Sequence, residues 1–420
     1  MEFAIYALIL VIALMGGPIF VVMSAFAMTA FHFADIEISA VPIEIYRIAA
    51  APVLLTIPLF TFAGYMMAES KSPTRYLNLA RASLSWMPGG IAIISLIVCA
   101  FFTAFTGASG VTIIALGGLL YPILIKEGYS EKFTLGLITT SGSLGLLFPP
   151  SLPIILYGLV AKVDIDKLFI AGLLPGLLLI LILSLWAIKN GKFDKSTREP
   201  FDFEKFKKAL WDARYELPMP ILVLVGIYGG YTTASEASAF TAFYVLIMEC
   251  FLYKDLSFKN DLTRIIGESM TLVGAILLIL CCALGMTNYL VDEEIPMKIL
   301  EFMKTHIDSQ IAFLMYLNIF LLVVGAILDI FSAIIIVVPL IVPIAQAFNV
   351  HPIHLAVIFL TNLEIGFITP PVGINLFISS FRFKKSVTTL YSASLPYLIL
   401  LLIALVIITY VPTLSLIWFD

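Results

Sequence analysis

Apolar runs long enough to cross a bilayer recur along almost the whole chain, and this limits its possible folds more than any motif does. About 20 apolar residues carry a helix across roughly 30 Å of hydrocarbon. Segments near 217 to 231, 233 to 253 and 265 to 290 have that character, as does most of the chain before residue 190. In lipid, only helices and closed barrels satisfy their own backbone polar groups. A barrel would alternate polar and apolar residues in short segments, whereas 61% of these 420 residues are hydrophobic and 12% are charged. With a mean hydropathy of +1.07, the chain reads as an all-α polytopic membrane protein.

Several function classes drop out at once. The net charge of −4 is spread over short connectors, with no basic arm for nucleic acid. No GxxxxGK[ST] loop is present for ATP, and neither HExxH nor GxSxG suggests an intramembrane hydrolase. An enzyme is therefore not expected. Cys99, Cys250, Cys281 and Cys282 lie in apolar runs without CxxC spacing and read as small core residues. The start, MEFAIYALILVIALMGG, lacks a basic n-region and reads as a retained helix.

Two of the spanning segments are interrupted in the same way. SLGLLFPPSLP (143 to 153) and EIGFITPPVGI (364 to 374) each carry Gly-x-x-x-Pro-Pro, from Gly145 to Pro150 and from Gly366 to Pro371. Proline lacks an N–H and restricts the residue before it, while glycine lets the chain turn and lets ligands reach the backbone. Pro149, Pro150, Pro370 and Pro371 are thus expected to break two helices and free carbonyl oxygens.

The two proline pairs are 221 residues apart, and the same shift places Gly64 on Gly285, Pro122 on Pro343, Thr140 on Thr361 and Gly145 on Gly366. Such a pattern argues for an internal duplication. Charge then orients the copies. The connector 189 to 216 holds eight Lys and Arg and is expected to face the cytoplasm. Three crossings later, 291 to 308 lies outside. Counting backwards, 69 to 88 (Lys71, Arg75, Arg81) faces the cytoplasm and 31 to 44 (Asp35, Glu37, Glu44) lies outside, provided Gly16-Gly17-Pro18 divides the first run in two. Arg382, Lys384 and Lys385 also fit a cytoplasmic assignment. Equivalent connectors face opposite sides, as in the inverted-topology repeats of secondary transporters.

The expected boundaries are a first repeat at 1–190, a connector at 191–216 and a second repeat at 217–420. Each repeat has an apolar stretch with a polar middle, at 90–126 (FTGASGVT) and 309–347 (GAILDIFSA), followed by a broken helix at 130–160 and 352–381. Each stretch could be one long helix or a re-entrant hairpin. The hairpin keeps the lysine-rich connector inside and is preferred.

Polar side chains gather at these four places. The first half offers Thr103, Thr106 and Ser109, then Thr139, Thr140, Ser141 and Ser143. The second offers Asp329 and Ser332, then Thr361, Asn362, Glu364, Thr369 and Asn375. Hydroxyls in membrane helices commonly bond their own i−4 carbonyl or join helices. An intramembrane carboxylate costs about 2.5 to 3.5 kcal/mol on insertion scales, so Asp329 and Glu364 need partners or water. Glu364 could instead face a cavity and be hydrated. Thr233 and Glu236 have capping-box spacing and favour a helix start over chemistry. Arg47 is expected to snorkel, and His351 and His354 to mark a helix start.

The run GASGVTIIALGGLLYPILIKEGYSEKFTLGLITTSGSLGLLFPPSLPIILYG, with NLEIGFITPPVGINLFI and TTASEASAF, resembles the large membrane subunit of tripartite ATP-independent periplasmic (TRAP) transporters over essentially the whole chain. That resemblance implies an elevator of scaffold plus transport domain in the bacterial inner membrane. It also implies a small four-helix membrane subunit, separate here because no extra helices are evident, and a periplasmic binding protein that delivers an organic carboxylate such as sialic acid or a C4-dicarboxylate. It implies two or more sodium ions and no organic cofactor. One site would use Thr106, Gly107 and Ser109 with Gly142 to Gly145. The other would use Gly325, Leu328, Asp329 and Ser332 with Thr361 to Gly366. Substrate would sit between the tips, with Ser109, Ser141, Ser143, Ser332 and Asn362 as candidate contacts. A stand-alone anion:sodium symporter of the same superfamily is the nearest alternative.

Overall fold

The computed structural model describes residues 2–15, 17–34, 43, 46, 52–84, 86, 87, 89–190, 201–307 and 309–419. Gly16, Asp35, Glu37, Glu44, Arg47 and residues 191–200, on which expectations above fall, lie outside the described residues. Every regular element among the described residues is helical.

The first half contains α1 (Glu2–Leu14), α2 (Ile19–Phe33), α3 (Thr56–Glu69), α4 (Ser72–Leu84), α5 (Gly90–Thr106), α6 (Ser109–Lys126), α7 (Glu131–Ser141), α8 (Leu152–Ala161) and α9 (Ile165–Asn190). The second contains α10 (Phe203–Asp212), α11 (Pro218–Tyr228), α12 (Ala234–Ile247), α13 (Asp261–Asp292), α14 (Ile295–His306), α15 (Gln310–Ile327), α16 (Ile330–Ala347), α17 (Pro352–Gly366), α18 (Ile374–Phe383), α19 (Val387–Tyr410) and α20 (Thr413–Leu416). Among the described residues, seven helices are long and apolar enough to span a bilayer, or eight if the pair 131–147 and 152–161, bent by 44°, counts as one.

Local chemistry explains where helices begin. Ser130, Ser309 and Ser386 each accept a hydrogen bond from the backbone three residues on, and His351 Nδ1 accepts from Ile353 N. Thr233 and Glu236 form a complete capping box at α12, while a π-helical turn, Met248–Leu252, ends that helix. Three stretches read above as connectors contain helices: α4 within 69–88, α10 within 191–216 and α14 within 291–308. Each buries only a little of itself (Pro73, Tyr76 and Leu77 in α4; Ala209 in α10; Pro296 and Leu300 in α14) and leaves its charged residues at the surface or in ion pairs. Span-length hydropathy does not detect such short amphipathic helices.

Helix bounds repeat at the 221-residue shift. Moving α6 by 221 gives 330–347, the bounds of α16, and α7 then starts where α17 starts. Pro149-Pro150 and Pro370-Pro371 are both joined by cis peptide bonds. Packing also follows this exchange, since α6 rests on α18 and α16 rests on α8. Each half therefore seats one arm of its helix pair on the other half's post-proline helix, and the core is continuous through both.

Candidate functional site

The first tip turns over three residues. Thr106 ends α5, and Gly107, at φ +63°, donates its N–H to Thr103 O at 2.8 Å. That left-handed conformation suits glycine. Ala108 then leads into Ser109, the first residue of α6, whose Oγ donates to Asn375 Oδ1 at 2.7 Å. Asn375 Nδ2 in turn donates to Thr139 O at 3.2 Å, and Thr139 Oγ1 to Ser379 Oγ at 2.9 Å. Thr103 Oγ1 lies 2.8 Å from Gly142 O and 2.7 Å from Thr112 Oγ1. Carbonyls only accept, so Thr103 donates to Gly142 and Thr112 donates to Thr103.

The second tip is built on its acid. Asp329 N-caps α16: Oδ1 accepts from Phe331 N at 3.0 Å and Ser332 N at 3.1 Å, and Ser332 Oγ donates to Oδ2. The partners that Asp329 needs are therefore supplied by its own helix start. Leu328, extended at φ −99°, links it to α15, where Gly325 touches Gly366. A Cβ at Gly366 would lie 2.4 Å from Gly325 C, and one at Gly145 would lie 2.2 Å from Ala100 O. In both halves the interrupted helix presses its glycine against the backbone of the preceding tip helix.

The two interruptions are neighbours. After α7, the chain runs through a 3₁₀ turn, Leu144–Leu147; after α17 it stays non-helical until Ile374. Ser143 Oγ lies 3.4 Å from Glu364 O, a contact between residues equivalent under the 221-residue shift. Such a contact places the pair at the centre of the exchange between halves.

Several hydroxyls take the simpler role. Thr361 Oγ1 donates to Val357 O, Ser141 Oγ to Ile138 O and Thr369 Oγ1 to Ile365 O. Thr106 Oγ1 has only long contacts, accepting from Ala108 N at 3.4 Å and donating to Ala108 O at 3.4 Å. Asn362 Nδ2 donates to Asn318 Oδ1 at 2.7 Å, and Asn318 Nδ2 to Thr409 Oγ1 at 3.0 Å, joining α17, α15 and α19. Sequence reasoning missed Asn318; an amide midway along an otherwise apolar stretch was the available signal.

Five oxygens around the interruptions remain buried without a hydrogen-bond partner among the described residues: Thr140 Oγ1, Ser151 Oγ, Asn362 Oδ1 and both carboxylate oxygens of Glu364. Glu364 is 0% exposed, so its carboxyl is closed to bulk solvent. Leaving a buried acceptor unmet costs about 1 to 3 kcal/mol, more when charged. His354 is buried between Ser415 Oγ and Thr409 O. Among the described residues no group of three His, Cys, Asp or Glu side chains is placed to hold a metal. Any cation here would be held by single carboxylates together with hydroxyl, amide and main-chain oxygens.

Comparison with known proteins agrees with this architecture. The family model described as "Tripartite ATP-independent periplasmic transporter, DctM component" matches residues 3–414. The chain is 36% identical over 365 residues to the isethionate TRAP transporter permease protein DctMQ of Oleidesulfovibrio alaskensis, covering 86% of this chain and 57% of that protein. It thus spans just over half the length of that relative. It is 34% identical to the C4-dicarboxylate TRAP transporter large permease protein DctM of Vibrio cholerae (86% and 84% covered). It is 30% identical to the sialic acid TRAP transporter permease protein SiaT of Haemophilus influenzae (96% and 66%). Among solved structures, the YdaH transporter of Alcanivorax borkumensis shares the fold with a TM-score of 0.56 at 13% identity, over 88% of this chain and 86% of that one. The chain belongs to the DctM family, the large permease component of tripartite ATP-independent periplasmic transporters, and is a multi-pass protein of the bacterial inner membrane.

Proposed function

We propose that the chain is the translocation subunit of a sodium-coupled importer of small organic carboxylates, and not an enzyme. It works with a periplasmic binding protein and a small membrane subunit, and moves its substrate by an elevator motion. The observation that carries this reading is the pair of glycine-proline interruptions, which meet at Ser143 and Glu364 and are flanked by buried oxygens without a partner among the described residues. Acceptors without donors suit a hard cation, and sodium, when bound, would supply the positive charge they lack.

This chain's own residues would hold such ions at two places. Thr106, Gly107, Ser109, Gly142 and Gly145 supply hydroxyl and main-chain oxygens in the first half. Gly325, Leu328, Asp329, Thr361 and Gly366 do so in the second. The substrate carboxylate would lie between the tips near Ser109, Ser141, Ser143, Ser332 and Asn362, with the helix starts at Ser109 and Ser332 favouring an anion. Repeats at 1–190 and 217–420 in opposite orientation, with 90–126 and 309–347 as re-entrant hairpins, would bring both tips to one depth. Coupling follows by linkage: an arrangement of tips and interruptions that binds cation and anion together raises the affinity of each for the other.

The test is uptake of labelled acids into proteoliposomes under an imposed sodium gradient, with binding protein and small subunit supplied. Sialic acid, C4-dicarboxylates and isethionate form the starting panel, since relatives carry those names. Uptake that needs both gradient and binding protein is expected. Equal uptake without the binding protein would favour the stand-alone symporter, and equal uptake without sodium would remove the cation from the mechanism.

A further inference from the structure

A second buried polar cluster lies away from the tips, where α4 meets the turn before α11 and the end of α12. Ser72 opens α4, Glu216 precedes α11, Glu249 sits in the π-helical turn and Asp255 follows it. Ser72, Glu216 and Glu249 are each 0% exposed. Arg75 serves all three acids. Its Nε donates to Glu216 Oε1 at 2.7 Å, Nη2 lies 3.3 Å from Glu249 Oε2, and Nη1 pairs with Asp255 Oδ2.

Other groups face the cluster from each packed element. Lys71 Nζ approaches Asp255 Oδ1 at 3.7 Å from a largely exposed position. The Tyr253 ring lies 3.8 Å from the Arg75 guanidinium, and its hydroxyl donates to Asp212 O at the end of α10. Tyr76 Oη donates to Glu216 O and Tyr244 Oη to Tyr215 O.

Ser72 decides the proton count. Its Oγ is in hydrogen-bond contact with Glu216 Oε1 and, at 2.7 Å, with Glu249 Oε1. A serine hydroxyl has one proton to donate. It satisfies one carboxylate oxygen, and the second contact is attractive only if that carboxyl itself carries a proton and donates it to Ser72 Oγ. Two ionised glutamates on one buried hydroxyl would instead set lone pairs against each other in a poorly solvated site.

We propose that Ser72, Glu216 and Glu249 form a proton-binding site in which the two glutamates share one proton through the serine hydroxyl. The charges then balance: Arg75 and Lys71 face Asp255 and one ionised glutamate. Loss of the proton leaves one uncompensated negative charge beside Glu216 Oε2, which is buried and without a partner among the described residues. Burial holds the Glu216 carboxyl above the usual carboxylate range, against the opposing pull of Ser72 and Arg75. A carboxyl raised in the folded state contributes stability that is complete below its unfolded value and is lost as pH rises through its folded value. Rising pH therefore loosens α4 from the turn before α11 and the end of α12. With 189–216 on the cytoplasmic side, the pH that matters is that of the cytoplasm.

Infrared spectroscopy of the purified full-length protein tests this. A protonated-carboxyl stretch should be present near neutrality, disappear on alkalinisation, and be missing at all pH values from both Glu249→Gln and Glu216→Gln, while Asp255→Asn retains it. Assignment by difference between variants separates this band from any due to Glu364. Thermal unfolding gives a second readout: the wild type should lose stability with rising pH, and Glu249→Gln should show a smaller loss. Spectra of the wild type and both glutamine variants that coincide in this region at every pH would overturn the proposal. Should one variant fail to fold, the other carries the same comparison.

Discussion

Asp329 shows how a single side chain can hold two roles. It caps α16 through two backbone N–H groups and is also a proposed sodium ligand. Asp329→Ala is expected to cost about 1 kcal/mol from the lost cap and to weaken the sodium dependence of uptake. Asp329→Asn, which keeps a capping oxygen, should recover most of the stability but not the sodium response. Thermal unfolding and sodium titration of uptake separate the two effects. Gly366 is constrained by space, since its Cβ would meet the Gly325 backbone at 2.4 Å. Gly366→Ala is therefore expected to destabilise by about 1 to 3 kcal/mol, read as a lower unfolding temperature. That residues 361 to 366 lie at a helix interruption was legible from composition and repetition, but their individual contacts were not. Thr361 bonds back along its helix while the Glu364 carboxylate has no partner among the described residues, and nothing in the residue types separates those outcomes.

Among helices, those with span-length apolar runs were legible and those lying along the surface were not. The capping box at Thr233 and Glu236 was readable because it is local: both partners lie within four residues. Removing it by Thr233→Ala should cost about 1 kcal/mol of stability with uptake unchanged, measurable by unfolding and transport on one preparation. The helices α4 and α14 went unread because they are short, charged and only partly buried. For α4 the omission mattered, since it carries Ser72 and Arg75 into a cluster whose acids come from 141 to 183 residues further along the chain. Separation of that size leaves no sequence pattern.

Across the whole molecule the halves are held together at the same place where each is interrupted. Ser109 to Asn375, Asn375 to Thr139, Thr139 to Ser379 and Ser143 to Glu364 all cross from one half to the other. Residues in direct contact couple energetically, typically by 0.5 to 3 kcal/mol. A double-mutant cycle of Ser109→Ala and Asn375→Ala should therefore show coupling of about 1 kcal/mol in unfolding, whereas Ser109→Ala with Thr233→Ala should be additive. The amino-acid sequence alone determined that the chain lives in a membrane, that its helices recur at a 221-residue shift, and that two of them break at Gly-x-x-x-Pro-Pro. These properties come from hydropathy, chain stereochemistry and the repeated pattern, all of which are written along the backbone. Only the tertiary structure decided which polar groups find one another: the seating of α6 on α18 and α16 on α8, the unpartnered oxygens between the interruptions, and the glutamates that meet at Ser72. Hydrogen-bond satisfaction depends on distances between segments far apart in the chain, and packing sets those distances.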